Sequence, residues 1–336
     1  MTVDEKWLAL ALTLARKGLG HTSPNPCVGA VIVSGGQLLG QGWHRRAGGP
    51  HAEIAAIRDA RRRGGANFKS ATLYVTLEPC CTHGQTPPCT DAIISGGFRR
   101  VVVGATDPNP AHAGRAFKIL RRAGIQVTHG VLADDCAALN RAFNHWIVSG
   151  KPWVVAKAAL TLDGALTLAR DRRAQLTGRA ALRDAHKNLR AASDAILIGA
   201  TTARIDNPRL TVRGTNIAKQ PLRVVVTRSG QLPEKLRLFT AAGRDRALVY
   251  QNQPWDEILR DLGRRGVTQL LVEGGADVHQ QLAKKKLVNE VVLYYAPLLA
   301  ADADLPRVPA LINLPLAQPT LTVLGRDLKL RGVVKR

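Results

Sequence analysis

The 336-residue sequence predicts an α/β protein built from two domains, on three observations. Short apolar runs alternate with stretches of good helix formers along the chain, the pattern of strands covered by helices. The length suits two domains better than one. Finally, Gly150-Lys151-Pro152 joins a residue that ends helices to one that frees the next strand, giving expected domains 1–150 and 151–336.

In the first domain, residues 4 to 17 form an expected opening helix. The turn-rich His21-Thr22-Ser23-Pro24-Asn25-Pro26 leads into the apolar run Val28 to Val33, suited to a buried strand. Ser34-Gly35-Gly36 then turns the chain into a partner strand, Gln37 to Trp43. Residues 52 to 60 are mostly helix formers stopped by Gly64-Gly65, which puts His51 in the first turn of a helix. Thr72 to Leu77 is a strand delivering Glu78-Pro79-Cys80 at its end, where α/β sheets usually carry chemistry. A helix from Cys89 follows Pro87-Pro88 and stops at Gly96-Gly97. A strand at Arg100 to Gly104, the loop Thr106-Asp107-Pro108-Asn109-Pro110, a helix from Gly114 to Ala123 and a strand at Ile125 to Val127 come next. One continuous helix from Asp134 to Val148 closes this half.

The second half restarts with Trp153-Val154-Val155-Ala156-Lys157. Further strands are expected at residues 195 to 198, 222 to 227, 247 to 251, 269 to 272 and 290 to 295, with helices at 179 to 192, 256 to 265 and 277 to 286. No internal repeat relates the halves.

Composition narrows the function. A net charge of +23 by itself suggests a nucleic-acid partner. The basic residues are scattered, however, with short clusters such as Arg61-Arg62-Arg63 and Lys284-Lys285-Lys286, and aromatics are only 4%, too few for base-stacking platforms. A basic solvated surface favouring phosphorylated small substrates is preferred, with no nucleic-acid or membrane partner. The apolar stretch Trp7 to Ala15 follows Asp4 and Glu5, precedes Arg16-Lys17 and lacks a small-residue cleavage site, so a cytoplasmic, soluble protein is expected. Three of the five cysteines crowd into residues 80 to 89, which fits a metal site in a reducing compartment better than a disulfide framework. Cys27 and Cys136 are expected to be buried small hydrophobes.

The chemistry concentrates in Pro50-His51-Ala52-Glu53 and Glu78-Pro79-Cys80-Cys81-Thr82-His83-Gly84-Gln85-Thr86-Pro87-Pro88-Cys89. One imidazole and at least two thiolates suit tetrahedral zinc, and three protein ligands would leave the fourth position open to water, as in a catalytic site. His-x-Glu with a later Pro-Cys and a second Cys is the pattern of zinc deaminases, in which the Glu is the acid/base. Two helix N-termini would converge on the metal and favour thiolate over thiol. Residues two apart lie roughly 200° apart on a regular helix. His51 and Glu53 must therefore both lean toward a point ahead of the helix end.

These residues, with Pro24-Asn25-Pro26, Val28-Gly29, Gly48-Gly49 and Asp107-Pro108-Asn109-Pro110, make the chain resemble the bifunctional riboflavin-biosynthesis deaminase/reductase family over nearly its whole length. The resemblance implies a cytidine-deaminase-like three-layer domain followed by a dihydrofolate-reductase-like domain. It assigns zinc to His51, Cys80 and Cys89, with Cys81 as the competing ligand, and makes Glu53 the proton shuttle. The implied substrate is a diaminopyrimidinone ribosylamine 5′-phosphate, which loses its 2-amino group. Asn25, His44 and His83 are placed to contact it, a turn or surface role being the alternative for each.

For the reductase the resemblance implies NADPH, delivering hydride to the ribosyl carbon and opening the sugar to a ribityl chain. It directs Ala159, Thr177, Thr202, Asp206, Gly274 and Gly275 to the cofactor, and Arg190, Leu210, Arg213 and Glu273 to the substrate. Guanidinium forks suit a phosphate, and a Gly pair between strand and helix suits a cofactor phosphate, although a plain tight turn explains it as readily. Self-association is also implied. Two stretches depart from the family pattern: Asp171-Arg172-Arg173-Ala174-Gln175 lacks a Ser and a Trp, and Ala300-Ala301 lacks a glycine. A deaminase with a divergent reductase domain is accordingly one rival; a nucleic-acid-binding protein with a closed, four-ligand structural zinc is the other.

Overall fold

Strand-forming runs in the first half of the chain pair into one sheet: β1 (Gly29–Ser34), β2 (Gln37–Trp43), β3 (Thr72–Leu77), β4 (Arg100–Ala105) and β5 (Gln126–His129), in the order β2-β1-β3-β4-β5. β1 pairs antiparallel with both β2 and β3, while β3, β4 and β5 run parallel. The structure is a computed structural model describing all residues except 66, 84–86, 170–174, 216, 218, 241–245 and 336. It comprises two compact units, Met1–Gly150 and Lys151–Arg336.

Alternation along β1 builds the layers of the first unit. Ala30 and Ile32 pack with α2 (Ala52–Arg62), α3 (Cys89–Gly96) and α4 (Arg115–Arg122) through Ala56, Ile57, Ile93, Phe117 and Leu120. Val31 and Val33 face the other way, onto Leu8 and Leu12 of α1 (Val3–Ala15) and Cys136 of α5 (Ala133–Leu139). Helices thus cover both faces. Close approach is met by glycine: Gly40 and Gly42 of β2 lie against the α2 backbone at residues 55, 56 and 60, leaving no room for a Cβ.

Two local expectations change. His51 is the N-cap of α2, extended at φ −66° and ψ 162°, and so precedes the first turn. The expected single helix from 134 to 148 is two, α5 and α6 (Arg141–Ser149), broken at Asn140. The buried Asn140 side chain is committed to the Cys27 backbone, and its own backbone leaves helical values at φ −104° and ψ 19°.

The second unit holds an eight-stranded sheet of β6 (Trp153–Leu160), β7 (Ala195–Gly199), β8 (Leu222–Thr227), β9 (Ala247–Gln251), β10 (Gln269–Val272), β11 (Glu290–Tyr295), β12 (Leu316–Leu324) and β13 (Asp327–Val334). Their order is β12-β13-β11-β6-β10-β7-β8-β9, with six parallel strands and an antiparallel β12–β13 edge. The helix expected over 179 to 192 begins as α7 (Arg179–Asp184) and widens into a π-helical stretch, Ala185–Arg190. The remaining helices are α8 (Ala200–Asp206), α9 (Arg237–Thr240), α10 (Trp255–Arg264), α11 (Ala276–Lys284) and α12 (Pro309–Ile312). Sequence patterning missed α8, α9, α12 and the β12–β13 hairpin. α9 and α12 span one turn each, and most of β12 is exposed, so no apolar periodicity marks them. Among the described residues, no helix is long and apolar enough to cross a membrane.

Gly29 tests the packing of α1 on β1, because an added Cβ would lie 2.0 Å from the Ala11 carbonyl oxygen and 2.8 Å from Ala15 N. Gly29→Ala is expected to destabilise the first unit by about 3 kcal/mol, the upper end for overpacking. Urea unfolding followed by circular dichroism checks this, and an unchanged midpoint would show that α1 gives way without cost.

Candidate active sites

Three elements deliver the donor set of the first unit. His51 caps α2, Cys89 opens α3 directly after Pro88, and Cys80 stands three residues beyond the end of β3. Their ligand atoms all lie within 4.8 Å of one another. His51 Nδ1 is 3.2 Å from Cys89 Sγ and 3.5 Å from Cys80 Sγ, and the Cys89 N–H donates to Cys80 Sγ at 3.2 Å. Glu53, in the first turn of α2, is buried beside them.

The electrostatics suit a cation. A hydrogen bond from the Cys89 thiol, followed by one from His51, holds the Cys80 pKa well below that of an ordinary thiol. The Cys89 pKa is driven up, first by its bond to Cys80 and then by burial and the Glu53 charge. The two sulfurs share a proton that a divalent ion would displace. Burial, reinforced by the negative Cys80, raises the Glu53 pKa to about 7. One imidazole and two sulfurs at these separations match the donor chemistry of zinc.

Around this cluster, His44 is buried with both ring nitrogens engaged. Nδ1 donates to Pro50 O at 3.0 Å, so Nε2 accepts from Asn25 Nδ2 at 3.1 Å. Burial lowers the His44 pKa, favouring this neutral ring, whose edge meets the His51 ring at 5.5 Å between centroids. Cys81 Sγ is 3.4 Å from His112 Nδ1, while His83 is exposed. Glu78 acquires a role the motif did not suggest. Its buried carboxylate accepts from the N–H groups of Asp107, Gly114 and Ala116, tying the 107–116 loop and the start of α4 to the strand end that carries Cys80.

In the second unit a cleft of about 970 Å³ opens beside the carboxyl ends of β7, β8 and β10. Ala159, Thr177, Thr202, Asp206, Gly274 and Gly275 all line it, as do Arg190, Leu210 and Glu273. Arg213 is not among the lining residues. It is exposed, with its backbone N–H 3.3 Å from His186 Nδ1. Arg190 grips Glu273 through Nε–Oε1 at 2.8 Å and Nη2–Oε2 at 2.5 Å, and Nη1 donates to Thr211 O at 3.1 Å. Burial would raise the Glu273 pKa, but the Arg190 charge and hydrogen bonds outweigh it and hold the value near about 2. Lys157, half-buried beside this pair, has its pKa shifted down by desolvation.

Gly275 caps α11, and a Cβ there would meet Thr202 Oγ1 at 3.2 Å, so the glycines form a narrow cradle at a helix N-terminus. A cleft of this volume, with these glycines at a helix N-terminus, has room for a phosphate-bearing cofactor. Arg228, Ser229 and Asn252 also line it and were not singled out from sequence; the only available signal was their position just beyond β8 and β9. Of the divergent stretch, 171–174 lies outside the described residues, whereas Gln175 lines the cleft and donates to Thr177 O at 3.2 Å. Neither Ala300 nor Ala301 has a left-handed backbone, and Ala300 N–H donates to Asp163, so the missing glycine's freedom is not required here.

Comparison with known proteins follows the same division. Residues 1–105 match the cytidine and deoxycytidylate deaminase zinc-binding region, and residues 152–325 match the RibD C-terminal domain. The riboflavin biosynthesis protein RibD of Bacillus amyloliquefaciens is 36% identical over 99% of this chain and 97% of its own. That of Escherichia coli is 37% identical over 89% of each. Among solved structures, Acinetobacter baumannii RibD superposes with a TM-score of 0.89 at 34% identity, covering 99% of both chains. A Thermotoga maritima diaminohydroxyphosphoribosylaminopyrimidine deaminase/5-amino-6-(5-phosphoribosylamino)uracil reductase gives 0.88 at 32% identity and the same coverage.

The Arg190–Glu273 pair predicts an acid limb of stability. A folded pKa near about 2 against the ordinary 4.5 means that the contribution is complete above pH 4.5 and is lost as pH falls toward 2. It is worth up to about 3 kcal/mol. Arg190→Met should lose this limb and, by stranding a buried carboxylate, cost about 3–5 kcal/mol near neutrality. Urea unfolding of both proteins between pH 2 and pH 7 checks this, and parallel curves would refute it.

Proposed function

Since this chain belongs to the RibD family of riboflavin biosynthesis proteins, we propose that its first unit performs the deamination and its second the reduction. The protein is a riboflavin-biosynthesis enzyme with deaminase and reductase activities. One observation carries the residue assignment: the donor atoms of His51, Cys80 and Cys89 converge within 4.8 Å beside a buried Glu53. The substrate assigned is 2,5-diamino-6-(5-phosphoribosylamino)pyrimidin-4(3H)-one, whose phosphate suits a chain of net charge +23.

His51, Cys80 and Cys89 would hold zinc, which supplies a Lewis acid that brings the pKa of a water toward neutrality. Glu53 takes a proton from the attacking water, passes it to a ring nitrogen as the carbon bearing the 2-amino group becomes tetrahedral, and then serves the departing ammonia. A positive ion also lowers the Glu53 pKa, so the carboxylate is ready to act as a base. Asn25, held at Nδ2 by neutral His44, keeps its oxygen available to a donor on the substrate. Cys81 is turned to His112, which supports three ligands and an open fourth position over the closed structural zinc that a nucleic-acid reading requires.

In the second unit, NADPH held in the cleft would supply the hydride. The Gly274-Gly275 turn at the N-terminus of α11, close to Thr202, would hold a cofactor phosphate. Arg190 and Glu273 fix each other's geometry at the substrate end. Opening the sugar requires a proton on its ring oxygen, and Lys157, which lines the cleft with its pKa lowered by desolvation, is the acid assigned to supply it.

A steady-state assay that follows ammonia release and NADPH oxidation separately tests both halves. Both signals are expected from wild-type protein, and silence in both would sink the assignment. Glu53→Gln should lower ammonia release by about 10²–10⁴-fold, with zinc still bound and NADPH oxidation of pre-deaminated substrate intact. Cys80→Ser and Cys89→Ser should lose most of the metal, whereas Cys81→Ser keeps about one zinc per chain. Loss of zinc from the Cys81 variant alone would reassign the ligand.

A further inference from the structure

Asn140 stands at the break between α5 and α6, only 3% exposed, and its carboxamide faces the peptide groups of Cys27, 113 residues away in sequence. The Cys27 N–H donates to Asn140 Oδ1 at 2.7 Å, and Asn140 Nδ2 donates to Cys27 O at 2.9 Å. A carboxamide is a peptide group in miniature, so this side chain acts as a one-residue strand neighbour where β1 has yet to begin. Both Cys27 groups are in the protein interior, where a lost partner leaves them without water to replace it.

The contact continues to the metal ligands. Two residues before Cys27, Asn25 Nδ2 donates to His44 Nε2; one residue after it, Val28 O accepts from the His44 N–H at 2.9 Å. His44 in turn donates to Pro50 O, next to His51, and meets the His51 ring edge-on. The Thr22 hydroxyl, 3.3 Å from Cys27 Sγ, closes the same loop from its other end.

We propose that Asn140 is a positioning residue of the deamination site. It holds the Thr22–Cys27 loop in register, so that Asn25 reaches His44 and both border the position in front of His51. This rests on the reading of that site as a zinc deaminase. Asn140 is not one of the three donors of the His51, Cys80 and Cys89 cluster, and it lies beyond residues 1–105, which match the zinc-binding region.

The required pattern is one donor and one acceptor, which makes Asn140→Asp informative. A protonated carboxyl reproduces it, whereas an ionised one sets a lone pair against the Cys27 carbonyl. Burial raises the pKa of such a carboxyl. The Cys27 thiol beside it is itself pushed above the ordinary 9.0 by burial, so it adds no titration to the acid and neutral range. Deaminase kcat/KM of Asn140→Asp, taken as a ratio to wild type, should fall by about tenfold between pH 6 and pH 8 as this carboxyl ionises. Asn140→Ala should be about tenfold down at every pH, mainly through KM. Zinc content and NADPH oxidation of pre-deaminated substrate are measured on the same samples and should match wild type. The proposal is overturned if Asn140→Ala stays within twofold of wild type, if the Asn140→Asp ratio is flat with pH, or if activity falls only in step with bound zinc. Wild-type protein that releases no ammonia would instead overturn the deaminase reading itself.

Discussion

Bringing one imidazole and two sulfurs within 4.8 Å of each other, from sequence positions 51, 80 and 89, is the constraint on which the first unit depends. None of the three is held by a neighbour in sequence. β3 lies at the centre of its sheet, paired to β1 on one side and β4 on the other, so the chain leaving its end has a fixed starting point for Cys80. Glu78 then anchors that exit to the 107–116 loop through three backbone hydrogen bonds. The N-termini of α2 and α3 meet the same point, and their partial positive charge favours thiolate over thiol at Cys80 and Cys89.

Two glutamates, Glu53 and Glu273, show how environment sets the protonation of one residue type. Glu53 has burial and a negative sulfur for company, and its pKa is raised to about 7. Glu273 is also desolvated, with its side chain 11% exposed, but a bidentate guanidinium reverses the outcome and holds its pKa at about 2. The first has a pKa close to neutrality, while the second remains a fixed charge bound to Arg190 and near Lys157. Burial alone thus does not set a carboxyl's charge; the nearest charged partner decides it.

Much of the fold was legible because apolar periodicity and Gly/Pro punctuation are local signals. Every strand expected from residues 28 to 295 is present, most within a residue or two of its expected ends. Failures arose where a distant partner overrides local preference. Residues 134 to 148 carry an uninterrupted helical pattern, yet Asn140 breaks it to serve Cys27. β12 is an exposed edge strand carrying Pro319 and a register shift between Ala317 and Thr320, so it lacks the alternation of a half-buried strand. Its pairing with β13 supplies the order that its own residues do not signal.

The sequence by itself determined the chemical inventory: a histidine, a glutamate and clustered cysteines at deaminase spacing, a Gly pair between strand and helix, and a boundary at Gly150. These are statements about residue identity and short spacing, which survive without knowledge of the fold. Only the tertiary structure decided which groups meet. It turned Cys81 toward His112 and away from the donor cluster, set the His44 tautomer through Pro50 and Asn25, gathered nine of the ten expected reductase residues around one cleft and left Arg213 outside it. The physical reason is the same throughout. Hydrogen-bond partners and burial come from chain segments far apart in sequence, and the energy that orients a side chain is defined only once those segments have packed.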